Sequence, residues 1–391
     1  MDFAFTEEQQ RLREEVRDFY LNELPTDFDG EVHAADERIQ AVYRQLQKKA
    51  ADKGWLTAGW PKEYGGMGMG EIEQAIINEE TGRWGILWPN LIGLTIAGPG
   101  LILFGTEEQK SKFIPPITRG DVVWLECLTE PNAGTDMANV QLRAIQDGDD
   151  YIFNGQKIFI TGAYKADYLF TLAKTEDITP KHRGLSLFLI PADTPGITFR
   201  PLPCMGGVRT NEIFFDDVRI PKEYLLGELN RGFYHCMATF EYERSNTGAS
   251  AHAFHNLEEF VQYCKETEID GKPLFDDPQV RDALAQIAIE VEVWRLSSWR
   301  TAWRFSQREE LGPLDFDIDG YWWKTFSMKH CEKMMETMGL YGQLQKGSKW
   351  SHLRGTLERR WQETRSVHGG GTLEMLKIVL AERTIGLPRR R

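Results

Sequence analysis

Cysteine is scarce in this chain. Its five residues, Cys127, Cys204, Cys236, Cys264 and Cys331, are odd in number, widely scattered and in no CxxC spacing. No disulfide framework and no zinc or other metal centre follows from them, and a reducing cytoplasm is the expected home. Long apolar runs are missing as well, so no segment has the roughly 20 apolar residues of a membrane helix. The N-terminus, MDFAFTEEQQRLREE, is acidic and helical and lacks the apolar stretch of a signal peptide. Basic excess is also absent: 46 Lys and Arg stand against 59 Asp and Glu, a net charge of −13. That balance argues against a nucleic-acid partner, though one basic pocket for a phosphorylated ligand remains compatible with it. There is no internal repeat, and the one charge run, Arg389–Arg391, reads as a solvated tail.

What is present is a folded chain of several domains. Hydrophobic residues make up 41% and charged residues 27%, which excludes fibrous and disordered classes. At 391 residues, two or three domains are expected. The periodicity changes twice. TEEQQRLREEVRDFYLNEL carries Leu12, Val16, Phe19 and Tyr20 on one helical stripe. IQAVYRQLQKKAADKGW and EIEQAIINEETGRWG repeat the pattern, and PKEYGGMGMG (Pro61–Gly70) reads as a loop. From about Val122 the period becomes two. YIFNGQKIFITG, YLFTLAKT, LSLFLIPA, ITFRPL and NEIFFDDVRIP are separated by turn signals, as in an antiparallel sheet or barrel. Beyond Gly232 helical periodicity returns. Domains at 1–121, 122–232 and 233–391 are therefore expected, and the order excludes all-α and parallel α/β folds.

At Leu128–Asp136 the sequence reads LTEPNAGTD. With GWPKEYGGMGMG, FGTEEQKSKFIPPITRGD, GQKIFITGAYKADY, NEIFFDDVRIP and the tail GGTLEMLKIVLAERTIGLPR, the chain resembles the acyl-CoA dehydrogenases nearly end to end. Asn139 departs from the small residue that closes the first of these signatures. The resemblance implies an α+β fold: an N-terminal α-helical domain, a central antiparallel β domain and a C-terminal four-helix bundle. It also implies an FAD flavoprotein that oxidises an acyl-CoA thioester to the trans-2-enoyl thioester and passes electrons to an electron-transferring flavoprotein.

Residue by residue, Leu128, Thr129, Gly134 and Thr135 fall where that family contacts the flavin ring and pyrophosphate. A glycine permits close backbone approach and a neighbouring hydroxyl can bond a phosphate oxygen. Phe159 and Thr161 fall where an aromatic covers the flavin and a hydroxyl bonds its N5, although IFIT by itself reads as an ordinary alternating strand. Thr372 and Glu374 match further FAD contacts, Thr372 also serving as an N-cap. Most of the family carries its catalytic base directly before the Gly-Thr of the last signature. Here that position is Gly370, which has no carboxylate. A subgroup similar to isovaleryl-CoA and long-chain dehydrogenases places the base on an earlier helix, and FEYERSNTG matches it through Glu243 and Arg244. Glu243 is thus the expected base, Glu241 being on another helix face. Arg244 is the expected CoA contact, and the Gly370 backbone N–H the expected clamp on the thioester carbonyl. Trp294, Trp299, Trp303, Trp322 and Trp323 read as bundle core, and His368 as structural.

Three departures fall on segments with which the family grips FAD from a neighbouring subunit. Thr267 and Asp270 stand for an Arg and a Phe, Pro278 for a Gln, and Glu336–Gly342 loses a Gln and a Gly. Either a related but different subunit in a heterotetramer or a divergent homodimer or homotetramer accommodates them. A flavin monooxygenase of the same fold, an enoyl-CoA reductase and an accessory subunit are the alternative functions. The stretch Arg83–Leu94 is expected at the acyl cavity, with a non-linear acyl group favoured.

Overall fold

The computed structural model describes residues 4–26, 28, 37–86, 88–162, 165–243, 247–307, 313–365, 369 and 371–388. Helix α1 (Glu7–Glu23) opens on a capping box, in which Thr6 accepts from the Gln9 N–H while the Gln9 side chain returns to the Thr6 N–H. α2 (Glu37–Asp52), α3 (Glu71–Arg83), α4 (Gly98–Phe104) and α5 (Glu107–Thr118) complete the first domain. Pro61–Gly70 is a loop with one 3-10 turn at Lys62–Tyr64.

Eight strands then form one sheet: β1 (Trp124–Cys127), β2 (Arg143–Asp147), β3 (Asp150–Lys157), β4 (Tyr168–Lys174), β5 (Leu185–Pro191), β6 (Ile197–Pro203), β7 (Arg209–Pro221) and β8 (Leu225–Leu226). The order is β6-β7-β3-β2-β4-β5-β8, with β1 beside β4. Most pairings are antiparallel, as the turn signals predict. Two are parallel, β1 with β4 and β2 with β4, because the chain crosses over between them instead of turning back. The alternating residues Tyr151, Phe153, Leu187, Leu189, Ile213 and Phe215 fill the core beneath.

The third domain holds α6 (Gly232–Glu243), α7 (Gly248–Glu266), the short hairpin β9 (Glu268–Ile269) and β10 (Lys272–Pro273), α8 (Pro278–Ser306), α9 (Pro313–Met338), α10 (Thr356–Thr364) and α11 (Leu373–Val379). α6 leans on β5 and α4, α7 and α8 pack on each other and on α3, and α10 and α11 pack on α9. The two helical domains meet at a glycine crossing. A Cβ on Gly82 of α3 would lie 2.2 Å from the Gly248 Cα at the start of α7. Arg13 and Arg17 of α1 clasp Glu79 and Glu80 of α3, and Trp299 of α8 donates to Glu79 Oε1 at 2.7 Å.

The tryptophans correct one expectation. Trp294 is core at 1% exposure, but Trp303 and Trp323 are 42% and 39% exposed. At 100° per residue, Trp303 lies about 180° around α8 from Trp294, and Trp299 about 140°. A helix buries one stripe, so the three cannot share it. No helix among the described residues is long and apolar enough to cross a membrane.

Asp319 of α9 is buried and accepts from the Ser298 Oγ of α8 at 2.7 Å. Burial pushes its carboxyl up to about 7. Between about pH 4, where the unfolded chain ionises, and about pH 7, the folded state holds a proton the unfolded state has lost. Stability therefore falls as pH rises through that window. Asp319→Asn is expected to match wild type near pH 4 and to melt progressively higher than wild type up to pH 8, read from melts at several pH values.

Candidate active site

The LTEPNAGTD loop leaves β1 and folds back on itself. Glu130 N–H donates to the Ala133 carbonyl at 2.9 Å and Ala133 N–H to the Glu130 carbonyl at 3.1 Å. Asn139, the departing residue of the motif, donates to the Asn132 carbonyl at 3.0 Å and accepts from Lys181 at 2.8 Å, so it pins the loop from outside. Gly134 and Thr135 are exposed at the loop's rim.

IFIT is not a continuation of β3. The strand ends at Lys157, and Phe159 adopts φ 60. A non-glycine residue in that region costs about 1–3 kcal/mol and persists only when its surroundings hold it. Three hydrogen bonds do so here. Ile158 N–H donates to the Thr129 carbonyl at 2.9 Å, and Ile160 exchanges hydrogen bonds with Asn211 of β7, N–H to carbonyl at 3.0 Å and side-chain amide to carbonyl at 3.0 Å. The Phe159 ring is left 56% exposed. The strained backbone therefore turns an aromatic side chain outward instead of into the core. The Ile158–Thr129 bond thereby joins the Phe159 segment to the loop in one wall, with Leu128 buried and Thr161 exposed.

Beneath that wall lies a buried ion pair that the sequence reading did not single out. Lys157 has no exposed surface and donates to Glu130 Oε1 at 2.8 Å, the Leu128 carbonyl at 2.9 Å and the Leu172 carbonyl at 2.7 Å. Glu130 also accepts from the Gln141 and Leu142 N–H groups at 2.6 and 2.9 Å. Burial draws the Lys157 ammonium below its ordinary value against the pull of Glu130. The available signal was parity: Lys157 shares the inward face of β3 with Tyr151 and Phe153.

The other half of the candidate site lies on the third domain. Glu243 is the last residue of α6. Four residues on, Thr247 donates to the Ala75 carbonyl of α3 at 2.8 Å, and the Gly82–Gly248 crossing follows at once. The start of α7 is thus fixed to the first domain. The Glu241 and Glu243 side chains, and Arg244, His368 and Gly370, lie outside the described residues. Thr372 caps α11, accepting from Met375 N–H at 3.3 Å, and Glu374 is exposed in its first turn; α11 packs on α9, not on the sheet. Toward the glycine run, α10 docks on the sheet domain through Gln362, which accepts from the Gly206 N–H at 2.9 Å. Lys324 of α9, also buried, donates to the Gly369 carbonyl.

Comparison with known proteins matches three family models in chain order: acyl-CoA dehydrogenase N-terminal domain at residues 6–121, middle domain at 126–218 and C-terminal domain at 230–385. Acyl-CoA dehydrogenase FadE26 of Mycobacterium tuberculosis is 31% identical over 400 residues, covering 100% of this chain and 99% of that one. Among solved structures, the Tcur3481-Tcur3483 steroid ACAD aligns with a TM-score of 0.90 at 31% identity over 100% of both chains. The ChsE4-ChsE5 complex from Mycobacterium tuberculosis aligns with a TM-score of 0.89 at 30% identity, again over 100% of both.

Proposed function

The chain belongs to the acyl-CoA dehydrogenase family, oxidoreductases that act on acyl-CoA and depend in general on a flavin, and from that premise we propose a specific reaction for it. Glu243 removes the α-proton of an acyl-CoA thioester, giving the trans-2-enoyl-CoA. The Gly370 N–H steadies the thioester oxygen as enolate charge develops, and Arg244 holds the CoA moiety. FAD, held by Leu128, Thr129, Gly134, Thr135, Phe159 and Thr161, would supply at its N5 the acceptor for the β-hydride. The observation that carries the reading is Phe159, held at φ 60 and exposed, next to Ile158, whose N–H is bonded to the Thr129 carbonyl. These residues fit a flavin: an aromatic face, a hydroxyl at Thr161 and a loop rim at Gly134 and Thr135. Thr372 and Glu374 complete the cofactor contacts from the third domain, and an electron-transferring flavoprotein reoxidises the cofactor in the cytoplasm.

The cofactor site is completed by a related, different subunit. Support comes from the three segments that depart from the family pattern. Each is absorbed by local structure: Asp270 and Gly271 make the β9–β10 turn at φ 50 and 75, and Pro278 is the first residue of α8 behind its Asp277 cap. On the third, Leu340 is 82% and Tyr341 51% exposed, an apolar tip suited to a protein partner. The two solved relatives described above are both named as protein pairs, ChsE4-ChsE5 and the Tcur3481-Tcur3483 steroid ACAD. A bulky, non-linear acyl group is accordingly the favoured substrate class.

The test is an anaerobic titration. Chain purified with and without co-expressed relatives is examined for flavin absorbance, then mixed with straight, branched and polycyclic acyl-CoA thioesters. Bleaching of the oxidised flavin absorbance by a thioester in the loaded protein, strongest with a polycyclic one, is expected. Flavin that no thioester bleaches but that consumes oxygen rapidly once reduced would overturn the dehydrogenase assignment in favour of a monooxygenase. Full flavin loading of the chain alone would remove the different subunit.

A further inference from the structure

The Leu128 carbonyl and the Thr129 N–H belong to one peptide group, and in a planar trans peptide they point in opposite directions. Lys157 sits on the carbonyl side at 2.9 Å. On the other side, among the described residues, no hydrogen bond takes up the Thr129 N–H. A cation on a carbonyl oxygen draws electron density across the amide and makes its N–H a stronger donor, more so in a buried setting. All the contacts recorded for the Lys157 ammonium are acceptors, two carbonyls and one carboxylate, and that carboxylate is itself held by two backbone N–H groups. The charge is fixed in place behind the peptide and shielded from water.

We propose that Lys157 and Glu130 are positioning residues that set the strength and direction of the Thr129 N–H as a donor to the flavin ring, and so tune how tightly oxidised and reduced flavin are held. This rests on the flavin reading given above. The two members of the pair act with opposite sign. Lys157 strengthens the donor and favours the electron-rich reduced ring, whereas Glu130 offsets the Lys157 charge and moderates that preference. A purely structural pair would weaken both flavin states alike whichever member was changed.

The test is FAD affinity and midpoint potential for Lys157→Met and Glu130→Gln in the assembly that binds flavin in the wild type. Lys157→Met is expected to bind FAD at least tenfold more weakly and reduced flavin about tenfold more weakly still. For a two-electron couple that extra factor is a potential about 30 mV lower. Glu130→Gln is expected to shift the potential upward. Val218→Ala, a buried change in β7 away from the loop, serves as the control for lost stability and should leave the potential unmoved. Potentials that stay at the wild-type value, or move the same way in both variants, would overturn the proposal. If Lys157→Met does not fold, the upward shift in Glu130→Gln alone decides. Wild-type assembly that binds no flavin would instead sink the reading beneath it.

Discussion

Glu243→Gln is expected to keep its flavin and its thioester affinity while flavin bleaching by the substrate slows by roughly 10²- to 10⁴-fold, the usual worth of a positioned general base. An α-proton beside a thioester is too weakly acidic for a carboxylate that water can reach, so the base must be shielded to raise its proton affinity. Glu243 closes α6, four residues before the point where the third domain meets the first. Thr247 is hydrogen-bonded to the Ala75 carbonyl, and Gly248 is pressed against Gly82, so the start of α7 is anchored where the two helical domains meet. Gln is nearly isosteric and should leave the fold intact. Glu241→Gln, two residues away and on a different face, should change the rate by less than about threefold. Stopped-flow reduction of the two variants separates the roles. A slow Glu241→Gln beside a normal Glu243→Gln would move the base, and normal rates in both would remove it from α6.

Much of the architecture was legible because its causes are local. The amphipathic stripes of α1 and α2 and the period-two runs of β3 to β7 each report on their own segment, and their order gave the three-part layout. α3, by contrast, has no single apolar stripe, because Ala75, Ile76, Ile77, Glu79, Glu80 and Thr81 bury it on several faces between the two helical domains. The parallel pairings of β4 were not legible. They depend on which strands meet after a crossover, and nothing in the residues of β1 or β2 specifies that partner. Trp303 and Trp323 illustrate a second limit: tryptophan burial follows from which helix face points inward, and residue type alone does not contain it.

In the site, the same division holds. The loop Leu128–Thr135 and the Phe159–Thr161 segment were identified as motif, yet the reason they act together is three-dimensional. Alternation predicts that IFIT continues a strand, whereas Asn211, from a strand some fifty residues later, turns Ile160 aside and leaves Phe159 at positive φ. The Glu130–Lys157 pair and the Lys324 contact on Gly369 were missed for a related reason. A charged residue on an inward face becomes meaningful only once its partner is known, and these partners come from other elements.

Gly134→Ala is expected to leave the flavin-free protein as stable as wild type, or slightly more so, while weakening FAD binding by about ten- to a hundredfold, or roughly 1.4 to 2.8 kcal/mol. The asymmetry follows from what surrounds this glycine. Its φ lies outside the left-handed region, and a Cβ there would meet nothing within 4 Å. The fold itself therefore has no need of glycine at this position, and alanine would restrict the unfolded chain by about 0.4–1 kcal/mol. A ligand that approaches the loop backbone as closely as a pyrophosphate does would lose that approach to a methyl group. Gly82→Ala supplies the contrast. Its Cβ would collide with the Gly248 backbone at 2.2 Å, costing about 1–3 kcal/mol of stability through overpacking with no direct effect on flavin. Melting of the apoproteins and FAD titration of both variants give four values. Affinity lost at Gly134 with stability intact, beside stability lost at Gly82, places the cofactor on this loop. Unchanged affinity at Gly134 would show that the pyrophosphate lies elsewhere, whatever the motif around it suggests.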